Sequence, residues 1–167
     1  MYNKNLKLNN GIEVPQLGLG TWFIDVNQVA STIKEVVKLS YCHFDTAQAY
    51  GNERGVGEGI LTCGIAREDL FVVSKVAAEH KTYQAAKESI DQTLEIMGLD
   101  YLDMMIIHSP QPWDKVNQSD DCKEDIESLL EVCEIKTMVN QILLHISNPP
   151  LDLINLWIRK NAFIYSS

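Results

Sequence analysis

Leu70-Phe-Val-Val-Ser-Lys75, then the amphipathic stretch Tyr83 to Met97, then Leu102-Asp-Met-Met-Ile-Ile-His108, is the part of the sequence on which the fold turns. The first run is short and β-rich. The second sets Ala86, Ile90, Leu94 and Met97 at helical spacing, and the third is again short and apolar. Strand, helix and strand in that order form a crossover unit, because parallel strands need a dozen or more residues between them. The alternation extends both ways. Upstream, Asn27 to Leu39 spaces Val29, Ile33, Val36, Val37 and Leu39 as a helix, Tyr41-Cys-His-Phe44 follows as a strand, and Val56 to Leu61 is helix-like. Downstream, a helix is predicted over Lys123 to Val132, a strand over Met138 to Leu144, a helix over Leu151 to Arg159 and a last apolar run over Ala162 to Tyr165. Such alternation predicts an α/β fold with parallel strands. At the start, Leu6 to Leu19 alternates apolar and polar around Asn9-Asn10-Gly11, which predicts a β-hairpin because Asn and Gly tolerate positive φ.

Composition narrows the function classes. The chain has 167 residues, 14 Lys+Arg against 23 Asp+Glu and a net charge of −9, so the basic face of a generic nucleic-acid binder is missing. Its densest charge run, Asp114 to Glu134, is acidic. With 46% hydrophobic residues a folded core is expected, and no linker or repeat divides the sequence, so residues 1–167 read as a single domain. Cys42, Cys63, Cys122 and Cys133 show no CxxC pair or metal-ligand spacing, and no metal site is expected. The N-terminus lacks a signal-peptide apolar core and no run reaches membrane-span length, so the expectation is a cytoplasmic protein with no membrane partner.

Three of the strands end on ionisable residues: Asp45, Lys75 and His108. In parallel α/β sheets and barrels the C-terminal strand ends share one face, and active sites form there. Tyr50, five residues past Asp45, can fold back to the same place. A tyrosine titrates near 10, and an adjacent lysine is expected to lower that value and make it a proton donor, with Asp45 orienting Lys75 and His108 hydrogen-bonding a substrate carbonyl. Taken one at a time, each has a plainer reading: Lys75 reaching solvent, His108 structural, Asp45 a turn cap, Tyr50 a packed loop aromatic. Gly55, Gly57 and Gly59 do not join a strand directly to a helix, so they read as helix packing rather than a phosphate loop.

Gly18-Leu-Gly-Thr-Trp22, Phe44-Asp-Thr-Ala-Gln-Ala-Tyr-Gly-Asn-Glu53, Val73-Ser-Lys-Val76, and Leu99-Asp-Tyr-Leu-Asp103 through Ile107-His-Ser-Pro-Gln-Pro-Trp113 together resemble the aldo-keto reductase family, near its bacterial-type reductases of small carbonyls. The match runs from about Leu6 to Trp113 and resumes at Ile135 to Asn148. The resemblance implies a (β/α)8 TIM barrel that uses NADPH or NADH. It implies Asp45, Tyr50, Lys75 and His108 as the catalytic group, and Thr21, Asp45 and Gln141 around the nicotinamide end of the cofactor. Trp22 and Trp113 would wall the substrate pocket.

The sequence also departs from that pattern. A barrel typically takes about 250 residues, and a helix and strand of the family are not found between Trp113 and Cys122. The sequence stops near the family's later strands. Roughly five of eight barrel strands are placed, which predicts a partial barrel with exposed edges and a homo-oligomer covering them. Two functions follow: an NAD(P)H-dependent reductase of aldehydes or ketones with Tyr50 as proton donor, or a shortened, weak or inactive relative serving in binding.

Overall fold

The computed structural model describes residues 4–8 and 10–108, together with the strands over 139–142 and 163–166. It divides into two compact units, Met1–Lys4 with Pro15–Val116, and Asn5–Val14 with Asn117–Ser167. The helices expected over Lys123 to Val132 and Leu151 to Arg159, Trp113, the acidic run and Cys122 and Cys133 all lie outside the described residues.

The hairpin forms as read: β1 (Asn5–Lys7) pairs with β2 (Glu13–Pro15), and Gly11 turns the chain at φ +88°. Leu19–Gly20, which the alternation had merged with the hairpin, is a separate two-residue strand, β3. Next come α1 (Val29–Val37), β4 (His43–Asp45), α2 (Glu53–Thr62), β5 (Phe71–Ala77), α3 (Tyr83–Met97) and β6 (Met104–His108). Strands β3, β4, β5 and β6 form one parallel sheet in sequence order, with Asp45 opposite Val73 and Ala77 opposite His108. In the other unit, β7 (Val139–Ile142) and β8 (Phe163–Ser166) pair in parallel.

The core of the larger unit lies between sheet and helices, where Val29, Ile33, Phe44, Val56, Val72 and Met97 are buried together. Each such side chain contributes about 1.5–3 kcal/mol by leaving water. The glycines of α2 make this packing close: a Cβ on Gly55 would strike the Val26 carbonyl, and one on Gly57 the Met97 backbone. They pack a helix, as the sequence indicated. Helix α3 starts where Thr82 Oγ1 accepts from the Ala85 N–H at 3.2 Å, and it stops at Gly98, which takes a left-handed φ of +67°.

Candidate active site

Parallel pairing carries Asp45, Lys75 and His108 to the same end of the sheet. Asp45 and His108 are the last residues of their strands, and β5 runs on to Ala77, two residues past Lys75. The lysine is only 2% exposed. Its Nζ donates to Asp45 Oδ1, to the Thr46 carbonyl at 2.9 Å and to the Tyr50 hydroxyl at 3.5 Å. Tyr50 ends a 3-10 turn, Gln48–Tyr50, that Gly51 closes at φ +69°. Lys75 Nζ lies 5.0 Å from the Tyr50 ring centre, and the His108 ring meets that ring edge-on at 5.5 Å. The four residues expected to meet do meet.

The electrostatics differ from the expectation at one point. Desolvation, and after it the Asp45 carboxylate, holds the Tyr50 phenol above the usual tyrosine value, so proximity to Lys75 does not lower it in this state. Burial also pulls Lys75 down, against the opposing pull of Asp45. His108 is lowered by burial and then by the Lys75 charge, so its imidazole is neutral at neutral pH.

Thr21 is fully buried, and its Oγ1 and backbone N–H both donate to the Asp45 carbonyl, at 3.2 and 2.9 Å. It stands behind Asp45 and fixes that strand end. Trp22 is 61% exposed and stacks on Tyr50 with ring centres 6.2 Å apart. Gln141 lies on β7, and its side chain is outside what the structure describes. Among the described residues no group of three or more His, Cys, Asp or Glu could hold a metal ion, and no helix is long and apolar enough to cross a membrane.

Two further groups belong to this site and escaped the sequence reading. Asn52 is buried, donates to the Thr21 and Ile24 carbonyls at 2.8 and 3.0 Å and accepts from the Thr46 hydroxyl at 3.0 Å, tying the loop after Tyr50 to the loop after β3. Phe23 is 88% exposed and stacks on Trp22 at 4.4 Å, extending the aromatic row Tyr50–Trp22 outward. It holds φ at +63°, a left-handed conformation that costs about 1–2 kcal/mol for a residue with a Cβ. The Gly-Asn-Glu turn was a signal for Asn52; no pattern pointed to Phe23.

Comparison with known proteins agrees with this geometry. The family profile described as "Aldo/keto reductase family" matches residues 16–142. The chain is 36% identical over 159 residues to a glyoxal reductase of Bacillus subtilis (strain 168), covering 84% of this chain and 58% of that protein. It is 32% identical to a 9,11-endoperoxide prostaglandin H2 reductase of Trypanosoma cruzi (strain CL Brener), covering 83% of this chain and 56% of that one. The crystal structure of an aldo/keto reductase from Brucella melitensis superposes with a TM-score of 0.88 at 30% identity, over 99% of this chain and 71% of that one. The fold is therefore a partial (β/α)8 barrel, and the chain spans a little over half the length of these two curated relatives.

Proposed function

The chain belongs to the aldo/keto reductase family, and we propose that it reduces the carbonyl of a small aldehyde or ketone to an alcohol, with NADPH or NADH as reductant. The observation that carries this reading is the Tyr50 hydroxyl 3.5 Å from a buried Lys75 that Asp45 holds in place.

The donor set fits the reacting end of a nicotinamide cofactor. A half-buried phenol, a buried paired ammonium and a neutral imidazole meet at one end of the sheet beside the exposed indole of Trp22. When bound, the cofactor supplies a hydride to the carbonyl carbon. Asp45, backed by Thr21, would lie near its ribose, and Trp22 would wall the substrate.

Tyr50 then acts as the acid. Its raised pKa keeps the phenol protonated at neutral pH, and it donates that proton to the carbonyl oxygen as the oxygen becomes negative. Lys75 stabilises the phenolate left behind. His108, uncharged, orients the carbonyl through a ring N–H without competing as a stronger acid. Half-buried free thiols at Cys42 and Cys63 support a cytoplasmic setting.

Tyr50→Phe keeps the ring and removes the proton. Reduction of small aldehydes is expected to fall by about 100-fold or more in kcat, with the fold intact by circular dichroism. Equal turnover in the two proteins would refute the assignment.

A further inference from the structure

Gln48 opens the three-residue turn that Tyr50 closes, and its side-chain amide is fully used. Its Oε1 accepts from the Ala77 backbone N–H at 2.8 Å, and its Nε2 donates to the Ser89 carbonyl at 3.1 Å and to Thr93 Oγ1 at 3.0 Å. The acceptor end continues a ladder. Thr46 N–H donates to the Val73 carbonyl at 2.9 Å, which is the last use of that edge of β5 by the β4 segment. Two residues alternate along a parallel strand, so the Ala77 N–H faces the same side after β4 has ended, and the Gln48 amide stands in for the missing strand. The donor end closes a ring: Thr93 Oγ1 donates to Glu53 Oε2 at 3.4 Å, and Glu53 Oε1 accepts from Ser74 Oγ at 2.6 Å, back on β5.

Resting on the functional reading above, we propose that Gln48 is a positioning residue: it clamps the Tyr50 turn to β5, the strand that carries Lys75, and so sets the Tyr50–Lys75 separation on which proton donation depends. Gln48 acts through Tyr50 and touches no reacting atom. A polar side chain satisfied at both ends and linked into a ring of hydrogen bonds rigidifies its segment more than a single contact would.

The test uses Gln48→Met, which keeps the length and removes the polar atoms, and Gln48→Glu, which restores the acceptor for Ala77. Among the described residues three titratable groups face the phenol, Asp45 from β4, Lys75 from β5 and His108 from β6, so its titration reports its placement without turnover. Ultraviolet difference titration against Tyr50→Phe in each background isolates that tyrosine. In Gln48→Met the titration is expected to move down toward the ordinary value of about 10 as the ring swings to solvent. There kcat for aldehyde reduction is expected to drop by about 10- to 100-fold while KM changes little. Gln48→Glu, which keeps the Ala77 acceptor and loses the two donated bonds, is expected to recover part of the lost kcat. A folded Gln48→Met with an unmoved Tyr50 titration overturns the proposal. Amide exchange of Ala77 in the unmodified protein decides the matter if Gln48→Met does not fold: protection supports the clamp, and exchange at the rate of an open loop overturns it. If the unmodified protein reduces no carbonyl, the functional reading fails separately, and titration and exchange still judge the clamp.

Discussion

Lys75 is the residue around which the site is arranged: a nearly inaccessible ammonium whose charge is held by Asp45 and the Thr46 carbonyl and sensed by His108. Replacing it by methionine leaves a buried carboxylate without its cation, which is expected to cost about 3–5 kcal/mol in denaturant unfolding. The same change tests the electrostatics. Lys75 lowers His108 and Asp45 raises it, so in Lys75→Met the His108 midpoint, followed by NMR, is expected to rise toward 6.5. A midpoint that stays or falls would show that the Lys75 charge does not lower the imidazole. At this scale the sequence was informative where chemistry coincides with a strand end. Asp45, Lys75 and His108 are legible because apolar runs stop on them, and Tyr50 because it follows one closely. Gln48, Asn52 and Thr21 were not legible as they act here, because all but one of their partners, the Thr46 hydroxyl on Asn52, are backbone groups and hydroxyls 24 to 45 residues away. No short-range pattern marks such a bond.

The elements were read well wherever periodicity is long. Helix α3 was expected over its full Tyr83–Met97 span because fifteen residues give the apolar spacing several turns to repeat, with Thr82 and Gly98 capping it. The two-residue β3 was missed, since nothing that short has a period, and α2 began earlier than its apolar residues suggested because Glu53 opens it. Two substitutions probe the elements. Thr82→Ala removes the oxygen that caps the Ala85 N–H and is expected to cost about 1 kcal/mol. Gly57→Ala forces a methyl into the backbone of Met97, where α2 crosses the end of α3, and is expected to cost about 1–3 kcal/mol with a loss of chain order at that crossing. Thermal unfolding of both proteins checks the pair, and Gly57→Ala should be the more damaged.

For the whole molecule, two buried groups, His43 and Glu53, and the half-buried His108 make stability depend on acidity among the described residues. His43 and His108 have folded-state pKa values below 6.5, so the unfolded chain takes up their protons first, and stability is lost as pH falls below 6.5 through those lowered values. Glu53 acts in the opposite sense. Burial raises it above 4.5, so the folded state holds the proton more tightly, and its contribution is greatest at low pH and lost as pH rises through the raised value. Glu53→Gln removes that opposing slope. Its unfolding free energy is expected to rise more steeply with pH than the unmodified protein's above pH 4.5, and parallel curves would show that Glu53 does not titrate abnormally. The central claim, however, is that the strand-end cluster is a working nicotinamide site. Its most direct test is a titration of the purified protein with NADPH followed by tryptophan fluorescence, since Trp22 stacks on Tyr50. The account predicts saturable quenching at micromolar cofactor that is reduced in Trp22→Phe; a folded protein whose fluorescence does not change with NADPH would contradict it.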